Sequence, residues 1–108
     1  MAYSSINVFT VRETEWDAFI LLQRDQFLPL LRTQRGFLDF EIVRTGPGAG
    51  VATLWWESEG ARTAASPILH EWVSLHLDPY LLTLQNPSGP VVLSTRAPGD
   101  SGVLGRFG

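Results

Sequence analysis

"FLDFEIVRTGPGAGVATLWWES", residues 37 to 58, holds two runs of strand character around a glycine-rich centre, and its reading decides the fold. In the first run Leu38, Phe40 and Ile42 alternate with Asp39 and Glu41, the period of two expected of a strand with one face on a core. Gly46, Gly48 and Gly50, with Pro47, interrupt the pattern, which is the chemistry of a hairpin connection. The second run, "VATLWWES", is rich in β-branched and aromatic residues, which suit a pleated, half-buried surface. A hairpin is therefore expected in the middle of the chain, and its flanks settle the rest.

Upstream, "SINVFTVR", residues 5 to 12, reads as a first strand. Ile6, Val8 and Thr10 lie on one face of it; Asn7, Phe9 and Val11 lie on the other. The period then lengthens. Trp16, Phe19, Ile20, Gln23 and Phe27 form one helical stripe, with Thr14 as the N-cap and Asp17 three residues later. Pro29 is expected to kink or divide this helix near Leu28, because it lacks an N–H and clashes one turn back, and Gly36 is expected to end it.

Downstream of the hairpin, a second helical region spans about Ser58 to Leu77. Inside it, Ser66 and Pro67 have the form of an N-cap followed by a proline in the first turn, which predicts a break and a restart. Asp78 and Pro79 repeat the device, so "YLLTL", residues 80 to 84, reads as a last short helix, and "PVVLSTR", residues 90 to 96, as the fourth strand.

The order is βαββαβ: an α+β chain of ferredoxin-like type, with both helical regions on one side of an antiparallel sheet. The first and third strands carry apolar side chains at both parities, yet two helices cover only one face. A second copy of the chain is the simplest cover for the other, so a homodimer with its sheets packed together is expected. This domain occupies residues 1–96. The remaining 97–108 form a C-terminal tail with Gly99, Gly102, Gly105 and Gly108 at period three, read as a flexible end or a segment lying across the dimer partner.

Bulk properties narrow the function classes. A chain of 108 residues is long enough for one core and too short for two ordinary domains. Apolar residues at 44% and charged residues at 18% mark a globular composition. The net charge is −3 and the basic residues are scattered, which argues against nucleic acid and against an anionic membrane surface as partners. With no cysteine there are no disulfides, thiolate metal sites or cysteine nucleophiles, in keeping with a reducing cytoplasm. The opening "MAYSSINVF" has no signal-peptide pattern, and no apolar run approaches the roughly 20 residues that span a bilayer. A small soluble cytoplasmic protein is expected.

Candidate chemistry begins with the two histidines, His70 and His76. Helical neighbours on one face are three or four apart; these are six apart, which argues against a metal pair on one helix. On a helix begun at Pro67, the residues Leu69, Trp72, Val73, His76 and Leu77 form an apolar stripe, with Glu71, Ser74 and Asp78 opposite. His76 in mid-stripe is either a satisfied core residue or a base or ligand contact in a cavity under the helix; His70 lies at the stripe's border. Asn7 shares a face with Phe9 and Val11, where a buried amide must find backbone, water or ligand. Gln23 interrupts the first helical stripe and either reaches past the core edge to solvent or contacts a ligand.

Trp55, Trp56, Trp72, Phe40 and Tyr80 either pack in the core or stack on a flat ligand. Trp55 and Trp56 point to opposite sheet faces, so at most one lines a given pocket. Arg44, at the end of the second strand, either meets an anionic substrate group or is solvated. No phosphate-binding glycine loop, GxSxG elbow or HExxH motif is present, and nothing specifies a nucleotide cofactor.

Taken together, "INVFTV", "LPLLRTQRGFLDFEIVR", "LWWESEGA" and "SPILHEW" resemble the antibiotic-biosynthesis monooxygenase family of dimeric α+β barrels, over roughly residues 5 to 96. The resemblance implies a cofactor-independent monooxygenase that oxidises a small aromatic or quinol-type substrate with O2. In such an enzyme Asn7 would be an oxyanion donor, a tryptophan a stacking wall and His76 the proton acceptor. A second branch of the family degrades haem. Asn7 matches its first-strand asparagine and His76 is a counterpart of its iron-ligating helix histidine, but the place of its helix tryptophan falls in "RTAAS", residues 62 to 66, where only small or polar residues stand. The third reading is a non-catalytic dimer that binds a small hydrophobic ligand.

Overall fold

The structure, a computed structural model, describes residues 1–95 of the chain. Strand β1 (Tyr3–Val11) leads through a 3-10 turn (Glu13–Glu15) into helix α1 (Trp16–Leu22), a π-helical turn (Gln23–Phe27) and helix α2 (Leu28–Arg32). Strands β2 (Phe37–Gly46) and β3 (Ala49–Trp56) form the expected hairpin, followed by helix α3 (Glu59–His76) and strands β4 (Leu81–Gln85) and β5 (Ser88–Pro90). The antiparallel sheet runs β2-β3-β1-β4, with β5 continuing the pairing on β1. This is the ferredoxin-like α+β architecture read from the sequence.

The hairpin keeps its alternation except at one end. Phe37 pairs with Trp56 but Asp39 pairs with Trp55, so Leu38 is the extra residue of a bulge. The expected Leu38, Phe40, Ile42 set is thereby corrected: Phe37 turns inward and meets Trp56 edge-on at 5.7 Å, while Leu38 is exposed. Gly36, which precedes the strand, has φ 85° and a missing Cβ that would lie 2.5 Å from the Ala61 Cβ. Only glycine suits both the left-handed backbone and the close approach.

The first helical region is divided where Pro29 requires it, by a wider turn and not a simple kink. The Leu28 N–H reaches the carbonyl of Gln23, five residues back, and Pro29 then falls in the first turn of α2, where its missing N–H costs nothing. Thr14 does not cap α1. It lies exposed within the 3-10 turn, and α1 starts without a side-chain cap. Ser58, in contrast, caps α3 by accepting from the Ala61 N–H at 3.1 Å.

Three further expectations change. Helix α3 runs unbroken through Pro67; Ser66, expected to cap a new helix, donates to the Arg62 carbonyl at 3.1 Å instead. An interior proline costs a helix about 3 kcal/mol, a sum offset here by burial of Ala65 and Leu69 against the sheet, at about 2 kcal/mol for a leucine alone. "YLLTL" is not a helix: Leu81–Gln85 is strand β4, which pairs with β1. The short β5 takes in only Pro90 of "PVVLSTR"; residues 91–95 are not a strand, although the Val91 N–H still bonds the Ala2 carbonyl at 2.8 Å. The glycine-rich tail, 97–108, lies outside the described residues.

The helices cover one sheet face and build two adjoining cores. One gathers Phe9, Val11, Trp16, Phe19, Ala52 and Leu77; the other gathers Phe27, Leu31, Leu54, Trp56, Ala65 and Leu69. On the opposite face Val43, Val51 and Val8 form a row across three strands, with Val43 at 53% and Val8 at 42% exposure. Ile6 and Trp55 share that face, and Val91, Val92 and Leu93 lie beside them. Among the described residues, no helix is long and apolar enough to cross a membrane.

Candidate functional site

Where the two cores meet, the space between helices and sheet is not filled. An inner cavity of about 70 Å³ is walled by Phe9, Phe19, Phe27, Phe40 and Leu54, together with Leu77 and Leu81. An outer cleft of about 300 Å³ adjoins it and opens past Trp56, Arg62, Ser66, His70 and Ser74. Asn7, Phe27, Leu54, Val73 and Leu84 line both spaces. Asn7 is the polar member of that shared wall, and its side chain makes no hydrogen bond to a described residue.

The polarity gradient follows from strand geometry. Ser5, Asn7 and Phe9 share one face of β1, so the wall passes from hydroxyl to amide to ring as it enters the core. Gln23 completes the inner cavity. The sequence left open whether it reaches solvent; it is 4% exposed, and its Nε2 has no hydrogen-bond partner. The π-helical turn that begins at Gln23 and ends at Phe27 puts both residues on the cavity wall, in line with the frequent use of such turns at functional sites. An unpaired buried amide costs about 1–3 kcal/mol, so this position is costly unless something polar enters the cavity.

The outer cleft is lined along α3 by Arg62, Ser66, His70, Ser74 and, beyond the helix end, Asp78. The spacing is four throughout, so these side chains occupy one slowly drifting flank of the helix. The Arg62 Nε donates to the Ser5 Oγ at 3.3 Å, tying helix to strand. Trp56 lines the floor of the cleft, is 1% exposed, and has an indole N–H without a partner.

The structure brings Asn7, Gln23, Phe40, Trp56 and His70 together around these joined spaces and leaves His76, Trp55, Trp72, Tyr80 and Arg44 outside them. His76, expected in mid-stripe, is exposed, its ring 4.9 Å from that of Trp72; the helix ends there and Leu77 takes the buried position. Trp72 packs on Phe27 at 5.0 Å. Tyr80 packs against Phe19 at 5.8 Å. Trp55 faces the opposite side of the sheet from Trp56, as the alternation required. The Arg44 guanidinium lies over the Trp16 ring at 4.6 Å and donates to the Gly46 and Pro47 carbonyls, so it braces the hairpin.

Arg62 and Ser66 were not singled out from the sequence. The signal was their spacing from His70, hidden because Pro67 predicted two helices where there is one. Among the described residues, no group of three or more His, Cys, Asp or Glu side chains is arranged to hold a metal ion.

Comparison with solved structures places the fold. The chain is similar to SnoaB, a cofactor-independent oxygenase from Streptomyces nogalater, at 16% identity and a TM-score of 0.69, over 89% of this chain and 98% of that one. It is similar to MupZ from Pseudomonas fluorescens at 14% identity and a TM-score of 0.72, over 82% and 72% of the two chains. A third, Rv0793 from Mycobacterium tuberculosis, is 16% identical with a TM-score of 0.66, over 82% and 93%. No protein-family model matches the sequence, and no curated protein matches it. The fold is thus that of the antibiotic-biosynthesis monooxygenases expected from the sequence.

Proposed function

We propose that the protein is a cofactor-independent monooxygenase of a small aromatic or quinol-type substrate, bound in the joined cavities with its reactive carbon beside Asn7. The observation that carries this reading is the cavity pair itself: an apolar inner space with the buried, unpartnered Gln23 Nε2, opening past Asn7 into a cleft flanked by polar side chains of α3. The size suits a small ligand, at the lower end of the roughly 300–1,000 Å³ usual for such pockets. The fold shared with a cofactor-independent oxygenase supports the same chemistry.

In this reaction the substrate supplies the electrons. A CH2 conjugated with an aryl ketone, as in an anthrone, loses a proton and becomes an enolate. The enolate is oxidised by O2: one oxygen atom becomes a new carbonyl oxygen on that carbon, and the other leaves as water with the two hydrogens. The Asn7 amide donates to the developing oxyanion, a contribution that rises in an apolar, water-poor space. Gln23 donates to a substrate oxygen at the inner end. His70, not His76, takes the proton, since it lines the cleft.

Haem does not fit the histidine that the family resemblance offered for it, because His76 lines neither cavity. We also propose that two copies pack through the uncovered sheet face, over the Val43, Val51, Val8 row. The function is tested by oxygen uptake with an anthrone substrate. Consumption that is saturable in anthrone and falls in Asn7→Ala supports it; the same uptake in wild type, Asn7→Ala and a no-protein control refutes it.

A further inference from the structure

The outer cleft carries a positive charge that the oxygenation chemistry does not use. Arg62 is half-buried on its wall, and its one side-chain hydrogen bond, from Nε to the Ser5 hydroxyl at 3.3 Å, goes to a neutral group. Among the described residues no carboxylate forms an ion pair with it; the pairs present join Arg12 to Glu15 and Arg24 to Asp25. Asp78 lines the same cleft but lies beyond the far end of α3, and the helix from Arg62 to His76 alone spans about 21 Å. A partly desolvated guanidinium without a counter-charge is costly, and its planar fork matches an acidic group in two hydrogen bonds.

We infer that this cleft selects an aromatic acid, with Arg62 holding the ligand's carboxylate. The inference rests on the joined cavities being the substrate site, and it names the substrate class for them. Ser5 and Asn7 are alternate residues of one strand face, about 7 Å apart. A carboxylate on Arg62 therefore lies about one ring width from the Asn7 amide, with the rings directed toward the inner apolar space. Trp56 on the cleft floor gives the complex a fluorescence signal.

The test compares 2-naphthoate with 2-naphthamide, which share a shape and differ in charge, by tryptophan fluorescence titration and calorimetry. The wild-type protein binds the acid at least about tenfold more tightly, the ratio expected of one hydrogen-bonded charge. Arg62→Gln abolishes that ratio, weakening binding of the acid far more than binding of the amide; Arg62→Lys keeps part of it. Thermal melts of both variants establish that they fold, and if Arg62→Gln melts early the Lys variant alone carries the comparison. Equal affinities for the two ligands in the wild type, a ratio that survives Arg62→Gln, or no binding of either ligand overturns the inference. Binding of naphthamide without preference, with anthrone oxidation intact, overturns the charge selection and leaves the proposed oxygenase in place.

Discussion

The inner cavity and the outer cleft share five wall residues and differ in nearly everything else. The inner space is enclosed by phenylalanine, leucine and valine side chains with one buried amide, Gln23, at its end. The outer one is a groove with serines, a histidine and an arginine that has no carboxylate partner among the described residues, along one helix flank. The first lies between the two cores, with Phe9 and Phe19 from one and Phe27 and Leu54 from the other on its wall. The second is a surface feature written on a single helix. Each space also holds one buried, unpartnered N–H, that of Gln23 in the inner cavity and that of Trp56 in the outer cleft.

The largest expected effect tests where the two spaces lean on common structure. Trp56→Ala removes a buried ring from beneath the outer cleft and lowers stability by about 3–5 kcal/mol, the usual cost of emptying such a site, read by urea or thermal unfolding. Next comes the shared wall. Asn7→Ala lowers the anthrone oxidation rate about a hundredfold while thermal stability changes little; a drop in melting temperature with unchanged rate would assign Asn7 to the fold. Sharpest for the comparison is Gln23→Leu, which removes the unpaired amide at similar volume. It stabilises the ligand-free protein by about 1 kcal/mol and lowers activity, whereas a fully satisfied glutamine would destabilise on the same change.

The uncovered sheet face provides a control remote from both spaces. Val8→Asp shifts the sedimentation coefficient from dimer to monomer if the two sheets pack together, and a wild-type protein already monomeric at micromolar concentration removes the dimer. The smallest effect belongs to His76→Ala, which leaves oxidation rates unchanged because the ring stacks on Trp72 outside the cavities; His70→Ala lowers them.

How far the sequence reached depended on the range of the interaction that decided each feature. Alternation along β1, β2 and β3 is local and identified the hairpin, the inward Phe9 and Phe40, and the opposed Trp55 and Trp56. Proline and cap signals misled where tertiary contacts outweighed them. Ser66 and Pro67 have every local mark of a helix start, yet burial of Ala65 and Leu69 carries α3 straight through, and with that break removed Arg62 and His70 fall on one flank. "YLLTL" is helical by preceding punctuation and a strand by virtue of the free edge of β1 beside it.

The amino-acid order by itself determined the βαββαβ succession, the apolar character of both sheet faces, and Asn7 as a polar intruder among core residues, since each follows from the periods of two and 3.6. Only the tertiary structure decided that Gln23 is buried without a partner, that His70 and not His76 reaches the cleft, and that Arg62 joins them. Those outcomes depend on where the two helical regions come to rest against the sheet, and side-chain periodicity carries no information about that distance.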